Sequence, residues 1–244
     1  MTTTYIDLCN KVLRRLNEVE IAPADFSGVR GVQALVKDAV QSAVARLNQM
    51  EFEWPFNDSE TTQLLTVGKE EYDFPADLKS VDWNSFQIQK DDSLGVSYQA
   101  LKFLERDEWY KYHRDDDYQT ETVGRGVPLY VFPAHGEGFG LTPSPDKAYS
   151  VRYRYFRNFT NLSDFDDTSR VPTEFDTTVV DGAMFYMYMF KDNPENASVA
   201  FQTFQQGVKE MQSLYINHYQ SVRDTRVNFG GGSRSSRSVT SGWY

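Results

Sequence analysis

A single cysteine stands in the 244 residues. Cys9 alone cannot close an internal disulfide or supply a multi-cysteine metal site. The three histidines, His113, His135 and His218, are scattered and form no pair at ligand spacing. No apolar run reaches the roughly 18 residues that a membrane-spanning helix needs. The opening MTTTYIDLCNK lacks a basic start followed by an apolar stretch, so no secretory signal is expected there. Positive charge is also scarce. Lys and Arg number 25 against 35 Asp and Glu, a formal net charge of -10, which argues against a broad, sequence-independent grip on DNA phosphates. GxSxG, a P-loop and a GxGxxG between strand and helix are all missing. GEGFG at 136–140 reads as a hairpin and not as a phosphate cradle.

Aromatic residues are abundant instead, with 17 Phe, 15 Tyr and 4 Trp. Hydrophobic residues make up 40% and charged residues 25%, a globular balance and not a disordered one. The length suits one large domain or two small ones. An aromatic surplus serves a deep core or a large interface, and composition does not separate the two.

Hydrophobic spacing divides the chain into three parts. Ile6, Cys9, Val12, Leu13 and Leu16 recur at three- and four-residue steps and predict a helix over 5–19, with Thr3 or Thr4 as its cap. Val32, Leu35, Val36, Ala39, Val40, Ala43, Leu47 and Met50 line one face of a second helix over 31–51. That helix ends near Trp54, because Pro55 disfavours helical geometry in the residue before it. The period then changes. Short alternating segments at 61–67, 71–74, 80–89, 96–103, 128–132, 138–143 and 149–156, separated by turns, predict an antiparallel sheet. LERDEWYKYH at 104–113 reads as a short helix inserted in it. In the last strand Tyr149, Val151, Tyr153 and Tyr155 share a face. After a polar loop at 158–172 the helical period returns. Residues 174–191 are apolar on nearly every side and should lie centrally in a bundle. Pro194 then opens a long helix over 195–221.

The expected fold is α+β. Helices from both chain ends form a bundle, a β-rich segment is inserted between them, and an extended C-terminal tail follows. The expected divisions are 1–57, 58–157, 158–221 and 222–244. The tail holds Arg223, Arg226, Arg234 and Arg237 against Asp224, a net +3 on a body of -13. Its Gly- and Ser-rich composition cannot form a core. It is either a free terminus or a segment that another chain holds in place.

Candidate chemistry is thin. His113 with Asp115, Asp116 and Asp117 reads as a solvated acidic loop rather than a metal site, since neighbouring carboxylates point apart. Asp164, Asp166 and Asp167 lack the Gly and Glu of a calcium loop. Cys9 on an apolar stripe reads as a core thiol. A carboxylate pair set by folding could still serve a hydrolase. Trp109, Tyr110 and Tyr112 suit an interface core, or else fill a small local core.

YIDLCNKVLRRLNEV, VKDAVQSAVARLNQMEFEWPFN and VPTEFDTTVVDGAMFYMYMFKDNPENASVAFQTFQQGVKEM together resemble the head-to-tail adaptor proteins of tailed bacteriophages, of the tail-tubular-A and long-head podovirus type. The resemblance covers the helical ends closely and the β-rich middle by pattern. It implies a structural virion protein at the head-to-tail junction, assembled in the host cytoplasm, without enzyme activity or cofactor. It implies a homo-oligomeric, dodecameric ring under the portal protein that continues the DNA channel, with DNA passing and not specifically bound. An acidic wall suits that role. It also implies a tail nozzle or tail tube partner, for which Trp109, Tyr110 and Tyr112 are the candidate contacts. The C-terminal segment would reach into the portal, with Arg223, Arg226, Phe229, Arg234, Arg237, Trp243 and Tyr244 as docking residues. Another ring-forming virion protein (a tail terminator, completion or hub subunit) and a virion-associated glycan hydrolase are the rival readings.

Overall fold

The computed structural model describes residues 3–51, 53–92, 95–113 and 124–215. The first helix, α1 (Tyr5–Arg15), starts where every first-turn amide finds an acceptor. Thr4 Oγ1 accepts from Asp7 N, and the Asp7 carboxylate reaches back to Thr4 N in a capping box. The amides of Tyr5 and Ile6 donate to the carbonyls of Asp167 and Phe165 in the distant 158–172 loop. The helix is shorter than the 5–19 expected from spacing. Asn17 adopts a left-handed φ of 55° and turns the chain away.

Helix α2 (Val32–Met50) runs back along α1. It ends before Trp54, as the following proline requires. The Trp54 ring is fully buried, and its Nε1 donates to Leu47 O at 3.1 Å. Two helices from the far end of the chain complete the bundle, α4 (Asp176–Phe190) and α5 (Pro194–Tyr215), numbered after the short α3 (Arg106–Tyr112). α4 packs against α1, α2 and α5. The core that results joins Leu8, Val12 and Leu13 to Val40, Ala43 and Leu47, and these to Val179, Ala183, Phe204 and Met211. Gly182 of α4 lets Phe204 and Ala43 approach so closely that an added Cβ would lie 2.9 and 3.1 Å from them. Two carboxylates of α4 escape the apolar description. Asp176 pairs with Lys11 at 2.6 Å and Asp181 with Arg15, tying α1 to α4.

Among the described residues, nine strands lie between the bundle helices: β1 (Asp58–Leu64), β2 (Glu71–Asp73), β3 (Leu78–Val81), β4 (Gln87–Asp92), β5 (Gly95–Ala100), β6 (Lys102–Phe103), β7 (Tyr130–Pro133), β8 (Gly138–Thr142) and β9 (Ser150–Arg157). They form two sheets. One runs β1-β9-β4-β5, with β3 also paired to β9; the other runs β2-β8-β7-β6. Val151, Tyr153 and Tyr155 of β9 meet Tyr72, Phe139 and Leu141 of the second sheet in one aromatic core.

Three expectations need correction. The segment 80–89 is not one strand. The Asp82 carboxylate accepts from Asn84 N and closes a 3-10 turn at Trp83–Ser85, which splits it into β3 and β4. The segment 96–103 likewise divides into β5 and β6, which join different sheets. The strands are not all antiparallel, because β6 pairs parallel with β7. The chain makes that crossover through α3, the kind of longer connection a parallel pair needs. Lys79 of β3 joins the two halves of the molecule. Its Nζ donates to the carbonyls of Asn48 and Glu51 at the end of α2, where a cation also suits the helix dipole. Burial lowers the Lys79 pKa, and the nearby Glu51 partly offsets this.

Candidate functional site

α3 holds the three aromatics that the sequence marked as a contact surface, and the fold separates them. Its N-terminus follows β6 and its body lies on β7. Trp109 is only 5% exposed and stacks on Phe132 with centroids 4.4 Å apart. The expectation that Trp109 is an exposed contact is therefore corrected. Its indole is the peg that fastens α3 to the sheet. His113 lies 5.8 Å from the Tyr130 ring, and the Arg106 guanidinium donates to Ala134 O, so α3 is held at both ends. Tyr110 and Tyr112 point outward at 52% and 72% exposure. Phe103 and Leu129, exposed on the same β6–β7 edge, widen that apolar surface. Neither was singled out from sequence, because a two-residue strand carries no legible period.

The outer face of the five-stranded sheet is polar and internally paired. Arg154 meets Asp58 at 2.6 Å, and that bond holds its guanidinium pKa above the usual value. Arg152 donates to Gln87 Oε1 at 2.7 and 3.0 Å and lies 3.8 Å above the Tyr98 ring.

A cavity of about 290 Å³ lies between the C-terminal half of α2 and the 158–172 loop. Its polar side is a chain of amides. Asn57 donates to Asn48 at 2.5 Å, and Asn48 donates to Asn158 at 3.2 Å. Asp167 borders the cavity but is occupied, since its carboxylate accepts from Ser163 N, Asp164 N and Ser163 Oγ. The backbone bonds, the larger cause, and the hydroxyl hold its pKa below the usual carboxylate range. This set of groups offers neither a nucleophile with a base nor two facing carboxylates, the pairings that hydrolytic chemistry needs.

The remaining sequence candidates fall out as follows. Cys9 is buried in the bundle core, and burial pushes its thiol up to about 12, far from a reactive thiolate. Among the described residues, no three His, Cys, Asp or Glu side chains gather where they could hold a metal ion. Asp164 and Asp166 are exposed in the loop that Asp167 organises. Asp115, Asp116, Asp117, His218 and the tail candidates Arg223, Arg226, Phe229, Arg234, Arg237, Trp243 and Tyr244 lie outside the described residues.

On α3 and the β6–β7 edge, Phe103, Tyr110, Tyr112 and Leu129 are exposed large apolar side chains. No curated protein matches the chain. The model of the SU10 adaptor protein family matches residues 3–230, from the cap of α1 into the C-terminal segment. The chain therefore belongs to the SU10 adaptor protein family, structural phage adaptors that are virion components and contact other capsid or tail proteins.

Proposed function

We propose that the protein is the head-to-tail connector of a tailed phage, a ring between the portal protein and the tail nozzle or tail tube. The observation that carries this reading is the family match over residues 3–230, which takes in bundle, sheets and the start of the tail segment. The ring is built from the bundle helices α1, α2, α4 and α5 and continues the DNA channel. A net charge of -10 suits a wall past which DNA slides without binding. The β-rich part, 58–157, faces the tail. There Tyr110 and Tyr112, held out on α3 by Trp109, supply exposed aromatic surface at one sheet edge.

The segment 222–244 docks on the portal. Its four arginines can make forked bonds to carboxylates and carbonyls, and Phe229, Trp243 and Tyr244 supply apolar anchors. The test is assembly onto portal-bearing heads, read by cryo-EM. Full-length protein should add a ring at the portal vertex, and a chain lacking 223–244 should fold but fail to join. Equal attachment of the truncated chain would overturn the docking role. Attachment of neither would overturn the connector reading.

A further inference from the structure

A helix that is apolar around most of its circumference is normally enclosed, yet the last turn of α4 is not. Phe185 and Tyr186 are half-buried, and one turn on, Met189 and Phe190 are exposed, Phe190 at 60%. Phe201 of α5 lies 5.1 Å from Phe185. Beneath these rings, where α2, α4 and α5 meet, a cavity of about 100 Å³ opens to the surface. Ala43 and Gly182 leave the space, Phe185, Tyr186 and Phe201 border it, and Arg46 is its charged group. Arg46 is exposed and forms no ion pair among the described residues. Aromatic residues around one arginine are the composition of an interface centre.

A complementary feature lies on another side of α4. Asp181 faces Arg15 of α1, whereas Gly182, the next residue, faces Phe204 of α5. Beyond Arg15 the chain turns at Asn17 and presents Glu18, Val19 and Glu20. Val19 is 78% exposed, the highest value among the described large apolar side chains. Its carbonyl accepts from Gln33 Nε2 at 3.1 Å, which pins the turn to α2. Glu18 has no ion pair among the described residues, and Glu20 meets Arg14 only at 3.5 Å on the open surface.

We propose that the Glu18-Val19-Glu20 turn of one copy seats in the α2–α4–α5 cavity of the next copy of this chain. This rests on the ring reading and adds which surfaces meet. Size and charge select the occupant. A space of about 100 Å³ is smaller than the roughly 150 Å³ of a cavity that takes benzene, so it suits a branched aliphatic group better than a phenyl or phenol ring. On that ground Tyr98, Phe103, Tyr110, Tyr112 and Phe165 fit less well, and Phe165, although Asp164 and Asp166 flank it, is also less exposed than Val19, at 42% against 78%. Leu64, Val67, Leu129, Val199 and Leu214 are exposed too, but none has a carboxylate beside it in the chain to meet Arg46. Val19 has one on each side. Each copy then offers one turn and one cavity. Such a head-to-tail contact, repeated by a rotation that closes on itself, gives a ring, the arrangement that the ring reading requires.

The experiment uses full-length protein, with native mass spectrometry and sedimentation across a concentration series. Val19→Asp and Arg46→Glu both change exposed groups, so thermal midpoints should hold while the concentration for assembly rises by about tenfold or more. Combining Arg46→Glu with Glu18→Arg in one chain should return assembly toward wild type. Val19→Asp chains mixed with Arg46→Glu chains should give pairs that stop at two, because each chain keeps one working half. If wild type assembles and the two single variants assemble at the same concentration, these surfaces are wrong and the ring stands. A mixture that forms no pairs would overturn the head-to-tail arrangement. Wild type that stays monomeric at every concentration, alone and on portal-bearing heads, would remove the ring reading itself.

Discussion

The two cores of this protein are built by different means. In the bundle, small and aliphatic side chains let helix backbones approach, as where Gly182, Ala43 and Phe204 meet. In the sheets, rings fill the space. Phe86 stacks on Tyr153 at 4.6 Å, while Phe74, Trp83 and Phe139 add contacts of 5.3–5.9 Å. The bundle also depends on chain ends more than 120 residues apart, as the Gln41 to Leu162 bond illustrates at a separation of 121. The sheet core closes within the chain between β1 and β9. An aromatic interior fixes geometry through stacking, whereas a close-packed helical interior fixes it through steric tolerance. The two should fail differently when perturbed.

The largest expected effect tests whether they fail together. Val40 is fully buried in the bundle, and Val40→Asp places an unpaired charge there, at a cost above about 4 kcal/mol. Helical circular dichroism should collapse. If the near-ultraviolet aromatic signal of the sheets survives, the two cores are independent folding units. A melting curve equal to wild type would mean that this face is not buried.

Next, Trp109→Ala should cost about 3 kcal/mol by emptying the space under α3, measured by urea denaturation. The loss should fall on the sheet half alone. A loss below 0.5 kcal/mol, within the range of ordinary surface changes, would make Trp109 a surface contact after all.

A matched glycine pair sharpens the contrast. Gly140→Ala would put a Cβ 2.2 Å from Phe132 Cζ, and Gly182→Ala would put one 2.9 Å from Phe204 Cδ2. Each should cost about 1–3 kcal/mol. The sheet variant should be the worse, because Phe132 is clamped by Trp109 and cannot swing aside. The reverse order in calorimetry would show that the bundle is the less tolerant core.

Cys9 offers a pH-dependent probe of the bundle only. Burial raises its pKa from 9.0 to about 12. The folded state therefore keeps a proton that the unfolded chain loses. That stabilisation is complete below pH 9 and drains away as pH rises from 9 to 12. The stability gap between wild type and Cys9→Ala should be flat up to pH 9 and narrow above it. A gap constant to pH 12 would mean that the thiol is not shielded. The smallest effect is expected at Tyr110→Ala and Tyr112→Ala, within about 0.5 kcal/mol of wild type, while attachment of the tail weakens.

Local rules carried far along this sequence. The stripe of α1, its Thr4 cap, the stop before Pro55, the start at Pro194, the one-sided burial of β9 and the Gly136 turn all depend on residues a few positions apart. Spacing and backbone sterics therefore suffice to read them. The helical segments as wholes resemble those of phage adaptors, and the family match bears that resemblance out. Tertiary structure alone decided the rest. It set the parallel pairing of β6 with β7, the split of 96–103 between two sheets, the pairing of Asp176 and Asp181 with α1, and the turning inward of Trp109 while Tyr110 and Tyr112 face out. Each of these depends on which distant segment arrives next to it. A strand of two residues or a lone carboxylate in an apolar helix has no period that announces its partner.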